Sequence, residues 1–356
     1  MKKSLIALAV LAAAGVASAQ SSVTLFGIVD ANLNHGSGSL SKKTSMGNSG
    51  IASSQIGFRG VEDLGGGMSA SFWLEAGVNN DNGTGAGTNT NNQASGAAAA
   101  AAGGQGLTFN RRSTVSLAGG FGEVRLGRHL NPQFMNLTAY DPFGTNGVGT
   151  SQNLGSIITG VTSVRSSNMF QYFTPALGGF SAQVAYYLGE NNKLSTPAIP
   201  DTSKDGKGYG LRVGYAAGPI SAHLAVSKTE YAAGDVKQNN AGFSWNFGMV
   251  KPMIQISRDS NGAVDGKGVL VGATVPVGPG EIRAAYSRYE TDATAFNPET
   301  KKLALGYVHN LSKRTAVYAT IARVKNGGGA TAALNGSTTA ANGSSNGYDL
   351  GVKHSF

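Results

Sequence analysis

The feature that most constrains this chain is alternation with a period of two, repeated in blocks of about ten residues. Ala241, Phe243, Trp245 and Phe247 interleave with Asn240, Gly242, Ser244 and Asn246. Phe180, Ala182, Val184, Tyr186 and Leu188 do so with Ser181, Gln183, Ala185, Tyr187 and Gly189. Val269, Val271, Ala273, Val275 and Val277 repeat the pattern, as do Ile220, Ala222, Leu224 and Val226 against Ser221, His223, Ala225 and Ser227. Successive side chains of a strand point to opposite faces, so each block makes a sheet with one apolar and one polar side. About ten residues is also the length a tilted strand needs to cross a bilayer. A soluble sandwich alternates too, so the connections have to decide.

The connections come in two sizes that take turns along the chain. Short turns fall near 64–67, 118–122, 175–179, 217–219, 247–250, 277–280 and 311–313. Longer Gly/Asn/Ser/Thr-rich loops fall near 35–53, 78–107, 130–162, 190–207, 232–236, 259–265, 290–300 and 326–346. Seven turns and eight loops separate sixteen strands, with both termini on the short-turn side. An even strand count with short turns at one end and long loops at the other is the pattern of a bacterial outer-membrane barrel. Closure pairs every backbone group, so no strand edge meets lipid. The expected fold is all-β: a transmembrane antiparallel β-barrel of 16 strands.

Composition agrees. Charged residues make up 13% of the chain and Gly reaches 53 of 356, against averages of about 25% charged and about 7% Gly. Charge is cheap on a wetted lumen face and costs roughly 2–4 kcal/mol on the lipid face at the midplane. A low charge fraction therefore fits a sheet with one lipid-facing side. No Cys is present, which removes disulfides, Cys-ligated zinc and thiol catalysis together.

Met1-Lys2-Lys3 is a basic head, Leu5 to Ala17 an apolar run, and Ala17-Ser18-Ala19 a small-x-small cleavage site. That order describes a secretory signal peptide at 1–19, with the mature barrel at 20–356. Loss of Lys2 and Lys3 lowers the formal net charge from +9 to +7. At the other end Tyr348, Leu350, Val352, His354 and Phe356 alternate down to a C-terminal Phe.

Several segments carry a more specific resemblance. They are Ser21-Ser22-Val23-Thr24-Leu25-Phe26-Gly27 and Gly57-Phe58-Arg59-Gly60-Val61-Glu62-Asp63-Leu64-Gly65. Further on come Phe121-Gly122-Glu123-Val124-Arg125-Leu126-Gly127-Arg128, Tyr172-Phe173-Thr174-Pro175 and His354-Ser355-Phe356. In this order they resemble the general porins of Gram-negative bacteria, in particular the beta-proteobacterial branch. The resemblance implies a homotrimer in the cell outer membrane, surrounded by lipid and lipopolysaccharide. It also implies a diffusion pore through each subunit, narrowed by an inward-folded third loop, and no cofactor.

By the same resemblance, a carboxylate of the third loop faces arginines on the wall. Asp141 is the only carboxylate between Glu123 and Glu190, so it is the loop's candidate, although an Asp before Pro is also a common turn-former. The wall candidates are Arg59, Arg111, Arg112 and Arg165, with Glu75 tempering them from the face that carries Ser71 and Trp73. Each arginine could instead sit at the water interface on loop carbonyls. By the resemblance Arg111 and Arg165 are the better matches; Arg112 points to the opposite face from Arg111 in a regular strand, so at most one of the two should line the pore unless a bulge intervenes. Gln55 stands where the family commonly has a further arginine, which thins the basic ladder.

The expected function is passive diffusion of ions and small hydrophilic solutes, inorganic anions being weakly to moderately preferred. A substrate-specific channel and a surface-binding barrel are the alternatives. Five scattered His show no metal-ligand spacing, and Ser221 and His223 read as lumen-facing polar residues rather than a catalytic pair. Glycine runs at 65–67 and 327–329 precede no helix, so they cradle no phosphate. The basic balance has no aromatic-basic patch beside it that would suit nucleic acid.

Overall fold

The computed structural model describes residues 22–88, 92, 106–151, 162–191, 193, 201–292 and 296–356. The expected signal peptide lies outside them, as does much of the expected loop at 78–107. The chain forms β1 (Ser22–Ser37), β2 (Lys42–Asn48), β3 (Gln55–Gly65), β4 (Met68–Asn79), β5 (Thr84–Gly85), β6 (Arg112–Gly119) and β7 (Gly122–Leu130). A helix α1 (Pro132–Ala139) precedes β8 (Arg165–Phe173), β9 (Phe180–Tyr187), β10 (Gly208–Ala217), β11 (Ile220–Thr229), β12 (Val236–Trp245) and β13 (Lys251–Asn261). β14 (Val264–Val277), β15 (Gly280–Asp292), β16 (Glu299–Asn310), β17 (Thr315–Gly327) and β18 (Ser344–Ser355) complete the order.

Neighbours in sequence pair antiparallel, and β1 closes the barrel on β18 from Ile28↔Ser355 to Ser37↔Asn346. Eighteen segments make sixteen wall strands. β2 and β3 are two halves of one strand, both paired to β1, and β5 is a two-residue spur on β4. Gly27 and the C-terminal Phe356 exchange two backbone hydrogen bonds of 3.1 Å, which seals the seam.

The barrel is inside out relative to a soluble protein. Leu25, Leu117, Phe170, Leu224, Ile256 and Leu305 are exposed, whereas Thr114, Ser116, Gln171, Gln183, Asn240 and Gln255 are buried. Lipid solvates the first set, and the second lines the wet interior or packs against loops within it.

All seven short turns fall where the alternation breaks. At the first, Gly65, Gly66 and Gly67 adopt φ of 77°, 61° and 78°, a region that side chains resist. Two of the long loops are shorter than expected. β13 passes to β14 through two residues, and the loop at 35–53 is mostly strand. Only residues 49–54 leave the wall there, and they wrap Asp30: its Oδ2 accepts from the Ile51 and Ala52 amides at 2.8 Å each. Backbone N–H groups freed from the ladder thus find a fixed acceptor, as burial requires.

The third loop, between β7 and β8, folds inward. Pro132 opens α1 at a position where its missing N–H costs nothing. The helix lays Pro132, Gln133, Asn136 and Leu137 against the inner wall of β10–β12. Asn136 Nδ2 donates to Asn240 Oδ1 at 2.8 Å and to His223 O at 3.2 Å, and Gln255 Nε2 donates to Leu137 O at 3.1 Å. At Gly242 a Cβ would meet the Tyr140 ring at 2.0 Å; only glycine lets the loop come that close.

Candidate functional site

One side of the inner wall, β3 to β8, gathers arginines, four of which centre on Glu75 and Trp73. Glu75 lies directly across from Arg112 in the β4–β6 ladder. Its Oε1 meets Arg111 Nε at 2.7 Å, and its Oε2 accepts from Trp73 Nε1 at 3.0 Å. Arg165 Nε donates to Arg111 O at 2.9 Å. The Trp73 ring carries two guanidiniums, Arg112 with its carbon 4.4 Å from the centroid and Arg59 at 5.0 Å; Arg59 also lies 5.2 Å from Phe26. Such stacking holds a cation in place without neutralising it. Arg59, Glu75, Arg111, Arg112 and Arg165 therefore form one connected cluster.

Both Arg111 and Arg112 reach the lumen, so the expectation of at most one is corrected. No bulge is needed: Arg111 precedes the first residue of β6, where strand parity has not begun, and its amide donates to Glu75 O at 3.1 Å.

Two arginines outside the sequence candidates, Arg125 and Arg128, extend this face. Arg125 forks onto Glu123 Oε1 at 2.8 and 2.9 Å and stacks on Phe173 at 4.4 Å. Arg128 donates to Asn110 O at 2.6 Å and to Ser167 Oγ at 2.8 Å. Arg125 was legible, since it shares strand parity with Glu123 and His129. Arg128 was not, because the register shifts between Gly127 and His129. The face thus holds six arginines and two carboxylates, Glu75 and Glu123.

The opposing loop offers no counter-charge. Asp141 is the only charged residue from 131 to 164, and it is 4% exposed. Its Oδ1 accepts from the Phe143 amide and its Oδ2 from the Ser151 amide, both at 2.9 Å. Asp141 is therefore a staple that closes the loop on itself, and the expectation of a pore-facing carboxylate there is corrected. Burial pushes its carboxyl above the ordinary value, partly opposed by the two amides and by Lys302.

The loop tip is clamped to the far wall. Lys302 Nζ donates to Thr150 O at 2.7 Å, the Val148 amide to Asp349 Oδ2 at 2.7 Å, and Ser53 Oγ to Asn146 Oδ1 at 2.9 Å. Phe143 and Val148 pack with Leu334 of the last loop over Ala285, Ala304 and Ala322. Small residues on that wall make room for the loop. Tyr140 OH sits 2.8 Å from Ser221 Oγ and 2.6 Å from His223 Nδ1, so this serine–histidine pair anchors the loop. Arg212 Nε joins in, donating to Asn136 Oδ1 at 3.1 Å.

Comparison with known proteins agrees with this architecture. Outer membrane porin protein 32 of Delftia acidovorans is 39% identical over 377 residues, spanning 100% of both chains. An outer membrane porin protein of Bordetella pertussis is 27% identical, across 92% of this chain and 95% of its own. Among solved structures, the anion-selective porin from Comamonas acidovorans matches with a TM-score of 0.79 at 36% identity, over 95% of this chain and 100% of its own. A trimer form of OmpT from Vibrio cholerae shares the fold at 13% identity, with a TM-score of 0.64 over 94% of this chain and 99% of its own. A family model described as Gram-negative porin matches residues 5–329, and the chain belongs to that family of outer-membrane channels.

Proposed function

We propose that this porin is a passive, anion-preferring diffusion pore for ions and small hydrophilic solutes, and that Arg59, Arg111, Arg112, Arg125, Arg128 and Arg165 supply its field. The observation that carries this reading is the asymmetry of the constriction. Six arginines and two carboxylates stand on one side, and the loop opposite keeps its single charge buried. Rings of like charge bias a wet pore toward the opposite ion. An excess of fixed arginines therefore admits anions and repels cations. Glu75 and Glu123 orient the guanidiniums and temper the excess.

Gln55 removes one rung, but Arg111, Arg125 and Arg128 supply charges that offset its loss. The aromatics Phe26, Trp73 and Phe173 hold arginines rather than forming a continuous track, which favours a general pore over a sugar-specific one. The last loop packs Leu334 into the barrel, which disfavours a reading as an adhesive arm. Similarity to the trimeric neighbour supports a homotrimer, with the small residue Ala31 of β1 permitting close approach; Gly27 is already covered by the Phe356 ring, which a Cβ there would meet at 2.3 Å. In the cell, residues 1–19 are removed and the barrel is bathed in outer-membrane lipid and lipopolysaccharide.

The test is the zero-current potential of the purified protein in planar bilayers across a KCl gradient. The expected sign is that of chloride permeation, and a cation-selective potential would overturn the reading. Liposome swelling with sugars of graded size should give a size cutoff without chemical preference.

A further inference from the structure

Four of the six arginines on the β3–β8 face are held by oxygen atoms. Arg111 and Arg125 pair with Glu75 and Glu123, while Arg128 and Arg165 donate to the carbonyls of Asn110 and Arg111. Arg59 and Arg112 differ. Neither has an ion-pair partner among the described residues. Arg112 Nε donates to Thr114 Oγ1 at 2.9 Å, and the Arg59 guanidinium makes no hydrogen bond among the described residues. What the two share is the ring of Trp73, 5.0 Å from one guanidinium carbon and 4.4 Å from the other.

Strand register brings them together. Arg59 lies directly across from Trp73 in the β3–β4 ladder, and Thr114 lies across from it in the β4–β6 ladder, which leaves Arg112 one diagonal step away. Long and aromatic side chains reach each other at both kinds of position. The indole is itself braced. Phe26 meets it edge-on with centroids 5.0 Å apart, and its Nε1 donates to Glu75 Oε2 at 3.0 Å. Glu75 stands directly across from Arg112, yet its ion pair is with Arg111. One uncharged ring therefore carries two cations and occupies an oxygen of the nearest carboxylate.

We propose that Trp73 is the positioning residue of the constriction, fixing Arg59 and Arg112 as an uncancelled pair that sets the anion preference. A guanidinium has five N–H donors, and nearly all of those on this pair are left for a passing anion. Stacking leaves the charge intact, and holding the side chains in advance removes the entropy cost of ordering them around each ion. The inference rests on the anion-preferring reading of the pore and adds that its selectivity depends on a residue without charge.

The experiment records zero-current potentials of the purified full-length mature protein in planar bilayers across a KCl gradient. None of the replacements at position 73 alters the net charge, so a field set by charge count alone predicts no shift. Trp73→Leu should lower the anion-to-cation permeability ratio by about fivefold, the equivalent of two released cation–π contacts. Trp73→Gln, which suits a wetted wall, should do the same, so the ringless result does not hang on one replacement. Trp73→Phe keeps an aromatic face and should lose no more than about twofold. In a background of Arg59→Gln with Arg112→Gln, adding Trp73→Leu should change the ratio by less than about twofold, because coupled residues are not additive. Single-channel steps show that each variant has formed a pore. The sign of the wild-type potential tests the anion preference, and the ratios between variants test Trp73 whatever that sign is. A wild-type ratio in both ringless variants would overturn the proposal. So would an equal loss with and without the two arginines, or a loss in Trp73→Phe as large as in Trp73→Leu.

Discussion

On β3–β8, arginine, carboxylate and aromatic side chains face a wet lumen. Between the third loop and β15–β18, a carboxylate, a lysine and an aromatic ring are packed away from it. Glu75 is held by Arg111 and Trp73 and keeps 12% of its side chain exposed. Asp141 is held by two backbone amides and is 4% exposed. The two are chemically near-identical, yet one stays among the arginines of the wall, where the proposed function gives it a part in selectivity, and the other holds the loop shut. Charge in a channel acts through its access to water rather than through its position in the sequence.

The comparison breaks most visibly on the arginine side. Two unit charges about 4 Å apart in water interact by about 1 kcal/mol, so reversing one arginine moves the balance by about 2 kcal/mol. Changing Arg59, Arg112 and Arg125 together to Glu should reverse the sign of the zero-current potential, with the permeability ratio shifting by more than about a hundredfold. If the triple variant stays anion-selective, the field does not come from this wall.

Phe143→Ala removes the largest apolar side chain of the loop tip. Emptying a packed aromatic site costs about 3–5 kcal/mol. Here that loss should appear as a loosened loop: open-channel noise rises and limited proteolysis cuts near the tip, while selectivity keeps its sign. An unchanged noise spectrum would mean that the tip is not held by this packing.

Asp141→Asn leaves one amide without an acceptor, at about 1–3 kcal/mol, and should loosen the loop more mildly. Because burial raises the folded-state pKa, the native loop binds more protons than the unfolded chain in the window between the two values. The carboxyl's contribution is therefore fully present at acid pH and is lost as pH rises through the folded value. Mild acidification should tighten the loop at this staple, so current noise in wild type should not increase from neutral pH down to the ordinary carboxylate range. The smallest effect is expected from Glu75→Gln, which removes one carboxylate from the arginine cluster and should raise the anion-to-cation ratio by about fivefold.

The barrel itself was legible because lipid on one face and water on the other leave no freedom in strand parity. Phe243 and Trp245 are exposed where Asn240 and Ser244 are buried, and every short turn sits where the alternation breaks. The inward detour at 49–54 was not legible. It depends on Asp30 finding the Ile51 and Ala52 amides, and also Tyr318 OH from the far end of the chain. Within the site, Arg59, Glu75, Arg111, Arg112 and Arg165 were nameable from parity and resemblance, and they share one cluster. Parity failed where it set Arg112 against Arg111, because Arg111 lies just before the strand, and at Arg128, which follows a register shift. Asp141 looked the same from the sequence whether it faced water or amides, because Asp-Pro satisfies either role. Its burial is fixed by packing against residues 100 or more positions away, such as Lys302 and Leu334.

The central claim is that the field of this pore is set by its wall, with no counter-charge from the loop. Zero-current potentials of Glu75→Gln and Asp141→Asn, recorded side by side with wild type in one KCl gradient, test it most directly. The account predicts a shift toward stronger anion selectivity for Glu75→Gln and none for Asp141→Asn. A shift for Asp141→Asn with none for Glu75→Gln would contradict it.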